Sequence, residues 1–465
     1  MSDRSFERHS HLDVSREALF AWHERPGAFE RLAPPFAAPE LVETDGSLKD
    51  GARTILKVPA GPIQRRWVAE HRDYQPGHSF TDVQVSGPFA KWEHTHRFED
   101  HGAGSRLTDS IRYRLPLAPI SHWVAGGFVA KQLKRTFDFR EFALQRDLAL
   151  AATLRESFGD SPLPAKVAVA GASGLIGSAL QAALSTQGVE VVQLVRRPAG
   201  AGQVHWDPRA GVLDPKSIED CGAVIHLGGA NIAEGRWSDQ RKRVLTDSRV
   251  QSTNLIARTL AEMGDAKRTL VVASAVGYFG AQRGDDELDE SSAPADDFLG
   301  TLCQQWESAA DPAREAGLRV AHSRFGVVLD PRGGALKKLL PIFQLGGGGP
   351  VGDGRQWMSW LGVEDAVGLL IWALADPGFD GPFVAAAPEP IQQRDFAKVL
   401  GRVLRRPSFV PTPALAIRAV FGEMGEATVL GSQRAYARKV SASGYPYAAP
   451  DLESALRGCL GRSSG

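Results

Sequence analysis

In the N-terminal third of the chain, apolar and polar positions alternate in short runs, at 53–58, 64–69 and 105–115, as strands with one buried face do. Two helical patterns frame these strands. The first begins after Ser15, whose hydroxyl suits an N-cap, and the last carries Leu133, Phe137, Leu144 and Leu148 on one face. The pattern predicts an α+β domain over residues 1–153, ordered strand, helix, meander, long closing helix. Periodicity gives way in a linker at 154–165, where Gly159, Pro162 and Pro164 break helix and strand alike. From 166 to 404, apolar strands at 167–170, 189–195, 223–227, 269–274 and 319–328 alternate with helical patterns. Parallel strands need a helical crossover between them, so this alternation predicts an α/β, doubly wound parallel sheet. Past Pro407 the pattern turns helical, and 405–465 is predicted to be a short, mainly helical module.

The first strand of the α/β region runs into Gly171-Ala-Ser173-Gly174-Leu175-Ile176-Gly177 and then a helix. Glycine at 171 permits the tight turn, at 174 lets backbone approach a pyrophosphate, and at 177 lets helix pack on strand; the helix N-terminus adds N–H groups and positive dipole. The pattern predicts the strand-turn-helix of a Rossmann dinucleotide-binding unit, with an ordinary Gly-rich loop as the plain alternative. The next strand ends at Arg196 and Arg197, where an NAD enzyme places a carboxylate for the ribose hydroxyls. Guanidinium suits a 2′-phosphate, which points to NADP(H); two solvated surface arginines are the plain alternative. Asp207, after the third strand, stands either against the adenine amine or as an exposed turn residue. Leu227, Gly228, Gly229 and Ala230 close the fourth strand with small residues that let the chain pass beneath a cofactor, or that serve packing alone.

Charge narrows the partners. Lys plus Arg and Asp plus Glu both total 54 in 465 residues, so no overall field favours nucleic acid or an acidic membrane surface, and a small-molecule substrate is expected. The three cysteines, Cys221, Cys303 and Cys459, form no Cys-x-x-Cys pair and read as buried thiols of a reducing compartment. A polar N-terminus and the lack of any run of about 20 apolar residues lead to an expected cytoplasmic location. No metal is expected, and no feature speaks to oligomeric state.

Several stretches resemble the atypical, epimerase-like branch of the short-chain dehydrogenase/reductase superfamily, the nucleoside-diphosphate-sugar epimerase-like group with a C-terminal family-specific domain. They are Ala230-Asn-Ile-Ala-Glu-Gly-Arg236-Trp237, Asp247-Ser-Arg249-Val-Gln-Ser-Thr253, Ser274-Ala-Val-Gly-Tyr278-Phe-Gly280, Trp306-Glu307 and Gly352-Asp-Gly-Arg355-Gln356-Trp357-Met-Ser-Trp360. The order of elements in the N-terminal domain resembles the polyketide-cyclase/START-like helix-grip family, which implies an apolar cavity and a hydrophobic ligand; the apolar run at 120–129 reads either as plain core or as a wall of that cavity.

The resemblance implies NADP dependence, with Phe325, Gly326 and Val327 beside the nicotinamide. Arg236, Trp237, Gln356 and Trp357 are candidates for substrate contact, the last two beside a flexible loop formed by Gly346 to Gly349 and rimmed by Trp357 and Trp360. Catalytic members of the superfamily use a Ser or Thr at the end of the fifth strand with a Tyr-x-x-x-Lys on the next helix. Ser274 fits the first position, but Phe298 and Leu302 stand where the Tyr and Lys would be. Tyr278 is the candidate replacement proton donor, with a pocket-wall aromatic as the alternative; a phenol is a poor acid at neutral pH unless a cation stands beside it. Lys242 and His226 are further substitutes, or a solvated lysine and a core histidine. Two functions follow: an NADP-dependent epimerase/dehydratase-like or oxidoreductase enzyme, or a non-catalytic NADP(H)-binding regulator coupled to a ligand of the N-terminal domain.

Overall fold

A computed structural model describes residues 3–37, 39–60, 63–116 and 120–462, without the side chains of 60 and 120–125. It divides into two compact units, Met1–Ala151 with Ser185–Gln187 and Gly458–Gly465, and Ala152–Leu184 with Gly188–Arg457.

The first unit is an antiparallel sheet of β1 (Arg4–Leu12), β2 (Glu40–Thr44), β3 (Arg53–Ala60), β4 (Ile63–Gln75), β5 (Ser79–Ser86), β6 (Lys91–His101) and β7 (Gly104–Arg114), in the order β1-β7-β6-β5-β4-β3-β2. Three helices accompany it: α1 (Arg16–Glu24), α2 (Ala28–Leu32) and the long α3 (Ile120–Phe158). Ser15 caps α1 by accepting from the Ala18 amide at 3.2 Å. Leu19, Phe20 and Trp22 of α1 meet Phe98, Leu107 and Leu144 in one core, while Leu133 and Phe137 of α3 pack on Ile111 and Tyr113 in a second.

Helix α3 runs through 154–158, part of the expected linker, and ends before Gly159 at φ +89°. The run at 120–129, the candidate wall of an apolar cavity, lies partly outside the described side chains, and Phe128 within it is exposed. The interior under the sheet is polar around His94, His96 and Asp109, and the space bounded by His23, His96, Asp109 and Arg140 is about 10 Å³, room for about one water.

The second unit holds a parallel sheet of β8 (Lys166–Ala170), β9 (Glu190–Val195), β10 (Gln203–His205), β11 (Ala223–His226), β12 (Thr269–Ala275), β14 (Arg319–Phe325) and β18 (Gly381–Ala385), ordered β10-β9-β8-β11-β12-β14-β18. The order reverses between β8 and β11, which is the switch point where doubly wound sheets bind ligands. Small two-stranded sheets join β13 (Gln282–Leu288) to β20 (Ser432–Ala435), β15 (Val327–Leu329) to β17 (Trp360–Gly362), and β16 (Trp357–Met358) to β19 (Ile391–Gln392). The helices that matter below are α4 (Leu175–Thr186), α5 (Asp239–Met263), α6 (Phe298–Ser308), α7 (Asp311–Glu315), α8 (Gly334–Gln344), α9 (Val363–Ala375), α10 (Gln393–Leu404), α11 (Ala414–Phe421) and α12 (Glu423–Thr428).

One expectation is corrected here. The run at 319–328 is not one strand: it breaks at Gly326, where β14 leaves the main sheet and β15 pairs with β17. A Cβ on residue 326 would lie 2.6 Å from the Ser359 carbonyl oxygen, so the crossing requires glycine. The C-terminal module is mainly helical, as expected, and its one strand among the described residues, β20, pairs with β13 of the preceding region. Cys221 and Cys303 are buried and Cys459 is half-buried. Among the described residues no helix is long and apolar enough to cross a membrane.

Candidate functional site

A cleft of about 320 Å³ opens at the switch point, lined by Gly171, Gly174, Leu175, Ile176 and Gly177 of the turn entering α4, by Leu227 after β11, and by Phe325 and Val327 at the strand break. The turn is local in origin. Gly171 has φ +82°, and a Cβ there would sit 2.7 Å from the backbone of 227 and 228. A Cβ on Gly177 would overlap the Gly171 carbonyl, so α4 approaches the strand only because residue 177 has none. Gly174 differs: its hypothetical Cβ meets nothing nearer than the Gly171 oxygen at 3.3 Å, and the residue is exposed. Its missing side chain leaves room for something outside the chain. Ser173 is exposed on the same turn, and the first-turn amides of α4 lack intrahelical acceptors by construction.

Four lining residues went unnamed in the sequence reading: Ala273, Val328, Gly334 and Ala335. The signal for the last two was the Gly333-Gly334 pair opening α8, with Gly334 at φ +63°. A Cβ on Gly333 would come within 3.2 Å of Leu175, across the cleft mouth.

At the end of β9, Arg196 and Arg197 are exposed, and neither guanidinium has a partner among the described residues. Asp207 spends one carboxylate oxygen on the amides of Arg209 and Ala210, closing its own turn. Of the segment after β11, Leu227 alone lines the cleft. The Gly228 amide donates to His226 Nδ1 at 3.3 Å, the Ala230 amide to Ser248 Oγ at 3.0 Å, and Arg249 reaches the Ala230 carbonyl at 3.1 Å. The stretch around Asp247 to Thr253 therefore acts as an anchor on α5 for this passage. His226 is fully buried on Ser252 Oγ at 2.7 Å, and burial pushes its pKa down to about 3, so it is the neutral core histidine rather than an acid.

Ser274 does not reach the cleft. Its neighbour Ala273 does, and alternate residues of a strand face opposite sides. The Ser274 hydroxyl, 3% exposed, donates to Glu307 Oε1 at 2.7 Å on α6. Glu307 also takes a two-pronged ion pair from Arg324, both contacts at 2.9 Å, and the Arg324 guanidinium lies 3.4 Å over the Tyr278 ring. A cation thus does stand beside Tyr278. On α6 Leu302 is buried and Phe298 packs with Trp237, so no hydroxyl or amine replaces the missing dyad there.

A glycine turn feeding a helix at the switch point of a 3-2-1-4-5-6-7 sheet is the decisive geometry, and the comparisons agree with it. The model of the NAD dependent epimerase/dehydratase family matches residues 167–383, the polyketide cyclase/dehydrase and lipid transport model matches 3–148, and a model described as a domain of unknown function matches 412–459. An epimerase family protein of Mycobacterium bovis is 42% identical over 284 residues, 61% of this chain and 93% of its own. The chain belongs to the epimerase family. Human epimerase family protein SDR39U1 is 33% identical over 295 residues, 63% of this chain and 98% of its own. Among solved structures, a Corynebacterium glutamicum nucleoside-diphosphate sugar epimerase superposes with TM-score 0.81 at 32% identity, covering 98% of this chain and 90% of that one. Human SDR39U1 solved with NADPH superposes with TM-score 0.57 at 32% identity, covering 63% and 99%.

In this member of the epimerase family the four substrate candidates have internal partners. Arg236 donates to the carbonyls of Ala419 and Val420 at the end of α11. Trp237 is 8% exposed, in a core with Leu245, Leu299 and Met424, its indole N–H on the Ile232 carbonyl. Gln356 donates to the Val351 and Val429 carbonyls, and Trp357 donates to Asp285 at 2.7 Å. Trp360 is buried with its N–H on the Glu389 carbonyl, and Gly348 and Gly349 pack against Phe343 and Val410. In the same loop Gly347 is exposed. Lys242 pairs with Glu423 at 2.7 Å. Asp365 at the start of α9 accepts from the Ala448 and Ala449 amides, a structural role.

Proposed function

We propose that the cleft binds NADP(H) and that the protein is an NADP-dependent epimerase/dehydratase-like or oxidoreductase enzyme acting on a small or sugar-like substrate. The observation that carries the reading is the pairing of the Gly171–Gly174–Gly177 cradle with two guanidinium groups at the end of β9 that have no partner among the described residues. The α4 N-terminus and Gly174 would face the pyrophosphate, Arg196 and Arg197 the 2′-phosphate, and the backbone of 325–327 the nicotinamide. The NADPH-bound human relative supports this choice of dinucleotide. When bound, the nicotinamide would supply the hydride donor or acceptor. Tyr278, held under Arg324, would be the group of this chain nearest to a proton-donor role.

A second reading is favoured by one observation, that Ser274 is tied to Glu307 and α6 carries Phe298 and Leu302. It makes the protein a non-catalytic NADP(H) sensor. Titration with NADPH and NADH, followed by nicotinamide fluorescence, tests the shared foundation. Tight binding of NADPH that weakens when Arg196 and Arg197 become alanine is expected, and equal affinity for both dinucleotides would reject NADP(H). Oxidation of NADPH by carbonyl substrates, abolished in Tyr278→Phe, separates the enzyme from the sensor.

A further inference from the structure

The first unit carries a cluster that neither the dinucleotide cleft nor the sequence motifs use. His71 of β4, Asp82 of β5, His94 and His96 of β6 and Asp109 of β7 occupy facing register positions: His71 opposite Asp82, Asp82 opposite His94, His96 opposite Asp109. His94 and His96 are two residues apart and so share a face of the sheet. His71, His94, His96 and Asp109 are buried, and Phe137 of α3 packs on His94 at 5.5 Å.

We propose that this unit binds one divalent transition-metal ion of the zinc(II) class, through Asp82 Oδ2, His94 Nδ1 and His96 Nε2. One donor atom from each of the three residues lies within 4.8 Å of the other two. Asp82 Oδ2 is 3.3 Å from His96 Nε2 and 3.9 Å from His94 Nδ1. Metal bonds near 2.0–2.2 Å place neighbouring donors about 3–3.5 Å apart, so small side-chain rotations suffice. Two imidazoles and one carboxylate form a donor set used for zinc and for other first-row divalent metals, with open positions for water.

The surroundings are those of a metal site. Asp109 Oδ1 lies 2.9 Å from His94 Nε2 and 2.8 Å from His96 Nδ1, so one carboxylate faces the far nitrogen of each histidine. Such a carboxylate fixes the tautomer and orients the ligand nitrogen. The second oxygen of Asp82, Oδ1, lies 2.7 Å from His71 Nδ1, so a fourth side chain borders the ligand carboxylate. The imidazoles of His94 and His96 lie 3.9 Å apart, a spacing that disfavours two cationic rings and suits two neutral ligands. Two carboxylates with Arg140 of α3 as the nearby fixed cation leave negative charge for a dication to balance. Asp82, with a side chain 25% exposed against 5% and 7% for the two histidines, is the ligand by which an ion would enter.

The competing arrangement is a proton in place of the metal, with His96 as an imidazolium between Asp82 and Asp109. The test uses the full chain, stripped with chelator and titrated with cobalt(II). A saturable visible band at one equivalent, displaced by zinc(II), is expected, with X-ray absorption showing two imidazoles in the first shell. Asp82→Asn and His94→Gln should abolish the band, and Asp109→Asn should weaken binding by about 10- to 100-fold. Absence of a saturable band on the wild-type chain overturns the proposal, as does undiminished binding in folded Asp82→Asn. Because the wild-type spectrum decides by itself, variants that fail to fold leave the test intact.

Discussion

The guanidinium of Arg324 lies 3.4 Å above the ring of Tyr278 while both its prongs hold Glu307 at 2.9 Å. Arginine keeps its charge at any relevant pH, so it can act on the phenol only as fixed charge, never as a proton relay of the lysine kind. The pair is buried, 3% and 12% exposed, and removing one member of a buried pair leaves the other uncompensated. Arg324→Met is therefore expected to cost about 3–5 kcal/mol in urea unfolding, and Arg324→Met with Glu307→Leu to recover most of it. A single-variant cost below about 0.5 kcal/mol would show the pair to be marginal.

Ser274→Ala tests whether this serine is structural. Loss of its 2.7 Å bond to Glu307 should lower stability by about 1 kcal/mol. Any NADPH-dependent turnover should survive within a few-fold. Turnover abolished at unchanged stability would return Ser274 to the catalytic machinery.

Two glycines of one turn should fail differently. Gly177→Ala brings a methyl into the Gly171 backbone and should destabilise the α/β unit by about 1–3 kcal/mol. Gly174→Ala meets only the Gly171 oxygen at 3.3 Å. Its melting temperature should stay within about 2 °C of wild type, while NADPH affinity falls. Parallel melting curves and fluorescence titrations check the contrast, and a Gly174→Ala variant with full affinity would move the pyrophosphate elsewhere.

Acid should weaken the α/β unit through its buried histidines. Burial lowers His226 to about 3 and His322 to about 4, from an ordinary value of 6.5. Between those values and 6.5 the unfolded chain binds protons that the folded chain refuses, so stability is complete above 6.5 and falls as pH drops toward 4. Each histidine contributes up to about 1.4 kcal/mol per pH unit in that window. His226→Gln should flatten the pH dependence of denaturant unfolding; an unchanged slope would mean that His226 is protonated in the folded state.

What the chain determines by itself is whatever is local. Alternation at 53–58 and 64–69, helical spacing after residue 130, and glycines at 171, 174 and 177 produce strands, a closing helix and a cradle, because backbone sterics and short-range periodicity act within a few residues. The positions of Arg196 and Arg197 at a strand end follow the same logic. Which way a side chain finally points is another matter. Ser274 rather than Ala273 looked catalytic, yet strand parity turned the serine onto Glu307, 33 residues away in sequence. Arg236, Trp237, Gln356 and Trp357 read as substrate contacts, and backbone carbonyls, the Asp285 carboxylate and a core of Leu245, Leu299 and Met424 claimed them. The apolar pattern of the first domain foretold a buried face, but only the register of β4 to β7 brought His71, Asp82, His94, His96 and Asp109 together, since contacts between strands depend on long-range pairing that no local period encodes.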